Sequence, residues 1–292
     1  MSLGHSSETL GEFSKFLRDQ ATTTLRALFF YGGALRKLVL EQTELLLRTA
    51  GLAARLLLES GAETYRAEET VSFICQPYVS EPVQVLALPT GVFFSLTPPD
   101  GSASRSQVVR VTSRTTDLSR IAAVNDISRG ITAGTLSLAE GYEKLEALAA
   151  AHPAHLAGDL LASALSASFF TLLFSGVTIV DFLLAALCGL TTRLLACFFE
   201  GGGPSSALYC LTSGALTALI STVGSALLPC NQYAVIVGAM MPLLPGLVMA
   251  NAIRDTVNGD LISGTARTAE ALLKAISLAA GAGIVVALSA AL

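Results

Sequence analysis

In a chain of 292 residues only 14% are charged and 52% are hydrophobic, against about 25% charged in an ordinary soluble domain. A net charge of −4 offers no basic excess of the kind that nucleic-acid binding rests on. The charge is also unevenly placed: beyond residue 155 the only charged residues are Asp159, Asp181, Arg193, Glu200, Arg254, Asp255, Asp260, Arg267, Glu270 and Lys274. A polar front precedes an apolar rear, and the rear reads as membrane-embedded.

In chain order, residues 1–24 carry both signs of charge and no apolar h-region, so they do not read as a cleavable signal peptide. Residues 1–43 read as an amphipathic lead-in helix: Leu10, Phe13, Leu17, Ala21, Thr24 and Leu28 recur at helical spacing, with Lys15, Arg18, Arg26, Arg36 and Lys37 elsewhere. Such a helix fits either the anionic cytoplasmic leaflet or the surface of the domain behind it.

Residues 44–155 are expected to fold as a cytoplasmic α+β domain with a small sheet. Two helices over 44–76 are divided at Ser60-Gly61, with Ser60 as the second helix's cap and Glu63 completing a capping box. Glu63, Arg66 and Glu69 then share one side, either as a solvated salt-bridge row or as candidate ligand contacts. The period changes at VQVLAL (83–88), GVFFSL (91–96) and SQVVRVTS (106–113), which read as three short strands. Pro89-Thr90-Gly91 and Pro98–Gly101 mark the turns; the Thr90 hydroxyl is a further candidate contact. Asp117 caps one helix, and Ser137 with Glu140 starts another. His152 and His155 flank a proline and lack carboxylate or cysteine partners, so they read as loop rather than metal ligands.

Residues 156–292 are expected to be a membrane domain of about five helical spans, near 158–177, 178–199, 205–228, 231–252 and 268–290. Alternating spans put Arg193, Arg254 and Arg267 on the side of the polar front. By the positive-inside rule that side is the cytoplasm, which leaves the carboxyl terminus outside. The third span carries Ser213, Thr217, Ser221 and Ser225 four residues apart, a spacing that serves close helix packing or lines a polar path.

The most informative stretch is Met241–Glu270. Pro242 and Pro245, followed at once by Gly246, should break a membrane helix. Broken helices are tolerated in a bilayer where the freed backbone meets protein or a water-filled cavity. Asn251, Arg254 and Asp255 fall on one helical face, with Asp260 just beyond. Arg267, Glu270 and Lys274 line one face of the last span, Glu270 being the natural partner of an otherwise costly intramembrane Lys274. The stretch reads either as a small-molecule path or as a polar loop anchoring two helices at the interface.

The five cysteines show no C-x-x-C pair and read as small buried hydrophobes rather than a disulfide or zinc framework. There is no phosphate-binding G-x-x-x-x-G-K-[ST], no G-x-S-x-G and no H-E-x-x-H. The sequence therefore calls for no cofactor and no catalytic set, which leaves secondary transport or a passive pathway. No internal repeat is evident in the rear half, whereas transporters are commonly built from two related halves.

Four blocks then carry a resemblance: ESGAETYRAEETV (59–71), ALPTGVFFSL (87–96), DLSRIAAVNDISRGITAGTLSLAEGYEKLEAL (117–148) and MPLLPGLVMANAIRDTVNGDLISGTARTAEAL (241–272). In this order they resemble the bacterial threonine/serine exporter family over roughly 44–290. The resemblance implies a cytoplasmic front domain followed by spans in the bacterial inner membrane. It also implies export of a small polar acid, either a threonine/serine-type amino acid or a dicarboxylate. Some members fuse a second, shorter membrane domain behind the first. Others are split in two, including ones implicated in succinate export, and this chain looks like the larger subunit of the split form. The expected partners are a smaller membrane subunit, a small-molecule substrate and, as a further option, a second copy of the chain. In this reading Arg254 attracts a carboxylate, while Asp255 and Asp260 meet an ammonium or a coupling proton. The rival reading is a membrane-tethered sensor or regulatory subunit with its ligand near Glu63 and Thr90.

Overall fold

The computed structural model describes residues 37, 39–79, 81–98, 103–151, 156–174, 177–200 and 206–291. Most of the amphipathic lead-in, the tip of the 98–101 turn and His152–His155 lie outside the described residues.

Helix α1 (39–59) ends because Gly61 takes a left-handed turn at φ +86. There the Gly61 N–H donates to Leu58 O and the Ala62 N–H to Leu57 O, the pairing of a Schellman motif. A side chain at 61 would meet the carbonyl of Thr115. The motif consumes Ser60–Ala62, so α2 (Thr64–Cys75) starts later than expected, with Glu63 as a cap residue whose side chain makes no capping bond. The expected Ser60 capping box is therefore absent, and the Ser60 hydroxyl is buried without a partner.

Strands β1 (Gln84–Leu88), β2 (Gly91–Leu96) and β3 (Arg105–Arg110) form an antiparallel meander. Leu88 pairs with Gly91 across the two-residue Pro89-Thr90 turn. Period-2 alternation turns Ala87, Val92, Phe94 and Leu96 into the core. Helix α3 (Leu118–Thr132) starts where Asp117 Oδ1 accepts the Arg120 N–H at 2.9 Å. Helix α4 (Leu138–Ala150) opens with the expected reciprocal Ser137–Glu140 capping box. Leu46, Leu57, Val71, Ile74, Val92, Val124 and Leu145 join these elements in one core, each fully buried large aliphatic side chain contributing about 1.5–3 kcal/mol.

The described residues of the rear half form helices and short turns, the helices being α5 (Leu156–Thr171), α6 (Ile179–Glu200), α7 (Ser206–Leu227), α8 (Gln232–Met240), α9 (Gly246–Val257) and α10 (Leu261–Ala291). Among the described residues, α6, α7 and α10 are individually long and apolar enough to cross a bilayer; α8 and α9 make a fourth crossing if taken as one bent span. The first of the five expected spans is occupied by α5, whose 16 residues reach only about 24 Å at 1.5 Å per residue.

Between α8 and α9 the chain bends by 49°. Pro242 lies in the first turn of a 3₁₀ segment, Met241–Leu243. Leu244 is then extended, as a residue before proline prefers, and Pro245 precedes α9. Helices α7 and α10 approach closely through Gly214 and Gly281. A methyl group on Gly214 would run into the Leu278 carbonyl, and one on Gly281 into the Leu211 carbonyl. Ser213, Thr217 and Ser221 are buried on the same helix, so this stripe serves helix contact.

Candidate functional site

The α1–α2 corner of the front half is inserted against the α9–α10 corner of the rear half. Four successive residues each supply a contact. Gly61 O accepts from Asn251 Nδ2 at 2.8 Å, and Ala62 O from the Arg267 guanidinium at 2.7 Å. Glu63 Oε1 accepts from Arg254 at 2.6 Å. The Thr64 N–H and hydroxyl reach Asp255 Oδ1 at 3.3 and 2.9 Å, and the same hydroxyl lies 3.1 Å from Asp260 Oδ2. A hydroxyl has one proton, so Asp255 and Asp260 share it.

Asp255 is the centre of this seam. It is fully buried and sits at the N-terminus of α2, where a carboxylate satisfies an otherwise orphaned N–H and meets the positive end of the helix dipole. It therefore supplies from the rear half the cap that Glu63 does not. Its other oxygen faces Arg267 Nε at 3.1 Å, with Arg267 only 8% exposed. This contact is an ion pair rather than an aligned hydrogen bond, since neither atom has a hydrogen-bond partner. Gly264 brings α10 this close, because a side chain there would run into Thr256 and the Ala252 carbonyl.

Glu63 is held from two sides, by Arg254 and, at 3.4 Å, by Arg66. Burial pushes its carboxyl up, but its own backbone N–H, the Arg254 hydrogen bond and both guanidinium charges outweigh burial and hold it below the usual carboxylate range. Glu68, one turn on, accepts the Ala87 N–H at 2.8 Å and ties α2 to β1. Burial pushes the Glu68 carboxyl up; the Ala87 N–H opposes this, and the negative charges of Asp260 and Asp255 add to it.

Beside the seam lies a cavity of about 70 Å³, lined by Gly61, Arg114, Asn251, Arg267, Glu270 and Lys274, with Leu58, Thr115, Leu247 and Val248 completing the wall. Leu247 and Val248 belong to the first turn of α9, directly after the proline break. Glu270 links two of its cations, accepting from Lys274 at 2.8 Å and facing Arg114 at 3.1 Å. Asn251 is 3% exposed, and its Oδ1 has no partner. The lining thus carries three cations, one carboxylate and one idle acceptor, a set suited to a small anion that also bears a donor.

The structure brings Asn251, Asp255, Asp260, Glu270 and Lys274 together around this seam and cavity. Pro242 and Pro245 lie in the break, and Gly246 opens α9. Arg254 sits differently from the expected carboxylate contact: it is 60% exposed, paired with Glu63, and outside the cavity lining. Arg66 supports Glu63, whereas Glu69 is exposed on α2. Thr90 is exposed at the hairpin tip, where its carbonyl accepts the Val111 N–H. Among the described residues no hydrogen bond joins it to Glu63. Sequence reasoning used Arg267 for orientation and as an opening charge of the last span, read Gly61 as a helix break, and passed over Thr64 and Arg114. The Ser-Gly break at 60–61 was the signal for the corner; nothing local marked Arg114.

Comparison with known proteins adds one finding. A family model described as "putative threonine/serine exporter" matches residues 48–289. No curated protein and no solved structure matches the chain.

Proposed function

Because the chain belongs to the threonine/serine exporter family, we propose that it is a multi-pass inner-membrane subunit that exports a small polar acid, with a smaller membrane subunit completing the pathway. The front half is cytoplasmic in this reading, and the rear half crosses the bilayer with α5 as a short fifth segment. Substrate enters from the cytoplasm at the cavity under the proline break. Its carboxylate meets Arg114 and Lys274, and the Asn251 amide takes a donor from it.

The observation that carries this reading is the position of the cavity. It joins a broken apolar helix pair to three cations and to the corner of the front half. Ligand pockets usually measure about 300–1,000 Å³, so a cavity of about 70 Å³ corresponds to a closed form. The Gly61–Thr64 corner must withdraw for loading, and it acts as the inner gate.

The test is uptake of labelled threonine, serine and succinate into everted vesicles, with and without the smaller subunit, normalised to protein in the membrane. One charge-assisted contact is worth about 1.5–3 kcal/mol. Arg114→Ala and Lys274→Met should therefore each raise half-saturation roughly 10- to 150-fold, at 1.4 kcal/mol per decade. Unchanged half-saturation in both variants removes the cavity from the pathway. Full flux by the lone chain removes the partner.

A further inference from the structure

A second cavity, far larger than the first, lies wholly within the front half. It is a groove of about 640 Å³ between α1, β3 and α4, with Arg48, Gly51, Arg55, Gln107, Tyr142 and Glu146 on its walls. That volume is in the range of small-molecule sites. No group in it belongs to the seam or to the cavity under the break.

The groove follows from local geometry. Gly51 lets β3 approach α1, since a methyl group there would press on Val109 and on the Gln107 amide. Arg55 is one turn further along α1, and Arg48 one turn before, so all three share a face. Tyr142 and Glu146 stand one turn apart on α4, and the Glu146 carboxylate beside the Tyr142 hydroxyl pushes its pKa up.

Two polar atoms on these walls are buried and make no hydrogen bond. Arg55 Nε faces Glu59 Oε1 in an ion pair at 3.8 Å, too long for a hydrogen bond, and the rest of the Arg55 side chain is 40% exposed. Gln107 Oε1 is likewise buried without a donor. Buried polar groups are nearly always satisfied, and an orphan calls for an explanation. Here one orphan is a cationic donor and the other a neutral acceptor. The Gln107 amide lies next to Gly51, a single turn from Arg55 along α1, and all three line the groove. Arg48 adds a second positive charge, although it is shared with Glu44 at 2.6 Å, and Glu146 adds a carboxylate on the opposite wall.

We propose that this groove is a binding site for a small zwitterion, an α-amino acid, with its carboxylate on Arg55 and its ammonium between Gln107 Oε1 and Glu146. A dicarboxylate matches the arginines but meets Glu146 and the amide oxygen with like polarity. A cation lacks a partner for Arg55. The apolar stems of Leu52, Val109 and Ala149 accept the remainder of the ligand. The site is separate from the proposed transport pathway and does not depend on it. Because α1 runs from Arg55 into the Ser60–Gly61 corner, occupancy is placed to influence the seam.

The chain contains no tryptophan, so Tyr142→Trp in the full-length protein installs a unique fluorophore on the groove wall. Titration of the purified protein in nanodiscs with L-threonine or L-serine should give a saturable change, and succinate should give none. Gln107→Leu and Arg55→Met, each made in that background, should weaken the response at least about 10-fold, converting to about 1.4 kcal/mol, while Lys274→Met leaves it intact. Because a bulkier tryptophan can obstruct the groove, equilibrium binding of labelled threonine to the Lys274→Met chain with native Tyr142 provides a second readout, and adding Gln107→Leu to that chain should abolish it. Equal responses to succinate and threonine overturn the zwitterion class. Binding lost with Lys274→Met but retained with Gln107→Leu places the ligand in the other cavity and overturns the site, as does the absence of binding in both readouts.

Discussion

Arg267 offers the sharpest perturbation of the seam. Its guanidinium makes the 3.1 Å ion pair with fully buried Asp255 and the 2.7 Å bond to the Ala62 carbonyl. Arg267→Met keeps most of the aliphatic stem and removes both contacts. Asp255 would then be a buried charge held only by Thr64, and breaking one partner of a buried pair costs about 3–5 kcal/mol. At about 2–4 °C per kcal/mol for a large chain, the unfolding midpoint should fall by roughly 6–20 °C. Asp255→Asn should cost a similar amount, because Arg267 then lacks its counter-charge. Removing both charges together should cost clearly less than the two single losses combined, with a coupling of about 0.5–3 kcal/mol. A fluorogenic thiol dye can follow the unfolding once the half-buried Cys197 and Cys230 are replaced by alanine: Cys75 is fully buried in the front core, and burial pushes its thiol up to about 12, so it reacts when the fold opens. Strict additivity of the two single variants would refute the idea that Asp255 and Arg267 act as one unit.

Three further outcomes are expected. Glu63 has a folded-state pKa below its unfolded value, so its stabilisation is complete above about pH 5 and is lost as pH falls through that lowered value; Glu63→Gln should therefore flatten the acid limb of an unfolding-midpoint profile, and an unchanged limb would contradict the assignment. Gly214→Leu should separate α7 from α10, since any side chain meets the Leu278 carbonyl; a loss of about 1–3 kcal/mol is expected by the same dye assay, and a wild-type midpoint would show that the crossing is loose. Alkaline phosphatase fused after residue 292 should be active if the carboxyl terminus is external, and an inactive fusion beside a fluorescent cytoplasmic reporter would reverse that assignment.

Features set by neighbours in sequence were legible from the sequence. Asp117 and the Ser137–Glu140 box cap helices through bonds spanning three residues, and the period-2 runs became the three strands. The Ser60 cap was misread because the same dipeptide can begin a helix or end one, and the left-handed Gly61 decides for the ending. The composition of the seam was visible as charges at 251–274, but the pairing was not. Arg254 has Asp255 as its chain neighbour, yet it pairs with Glu63, while Asp255 turns to Thr64 and Arg267. Those choices come from how two halves of the chain dock, and no spacing rule encodes them.

The cap on α2 also sets an order of assembly. The Thr64 N–H waits for a carboxylate 191 positions later. At about 5–20 residues per second, that residue leaves the ribosome on the order of 10–40 s afterwards. The front domain is thus made first but finished last, when the final helical corner has been inserted and can present Asp255. A chain stopped short of α9 would leave that helix end uncapped, so the α1–α2 corner registers whether the rear half is complete.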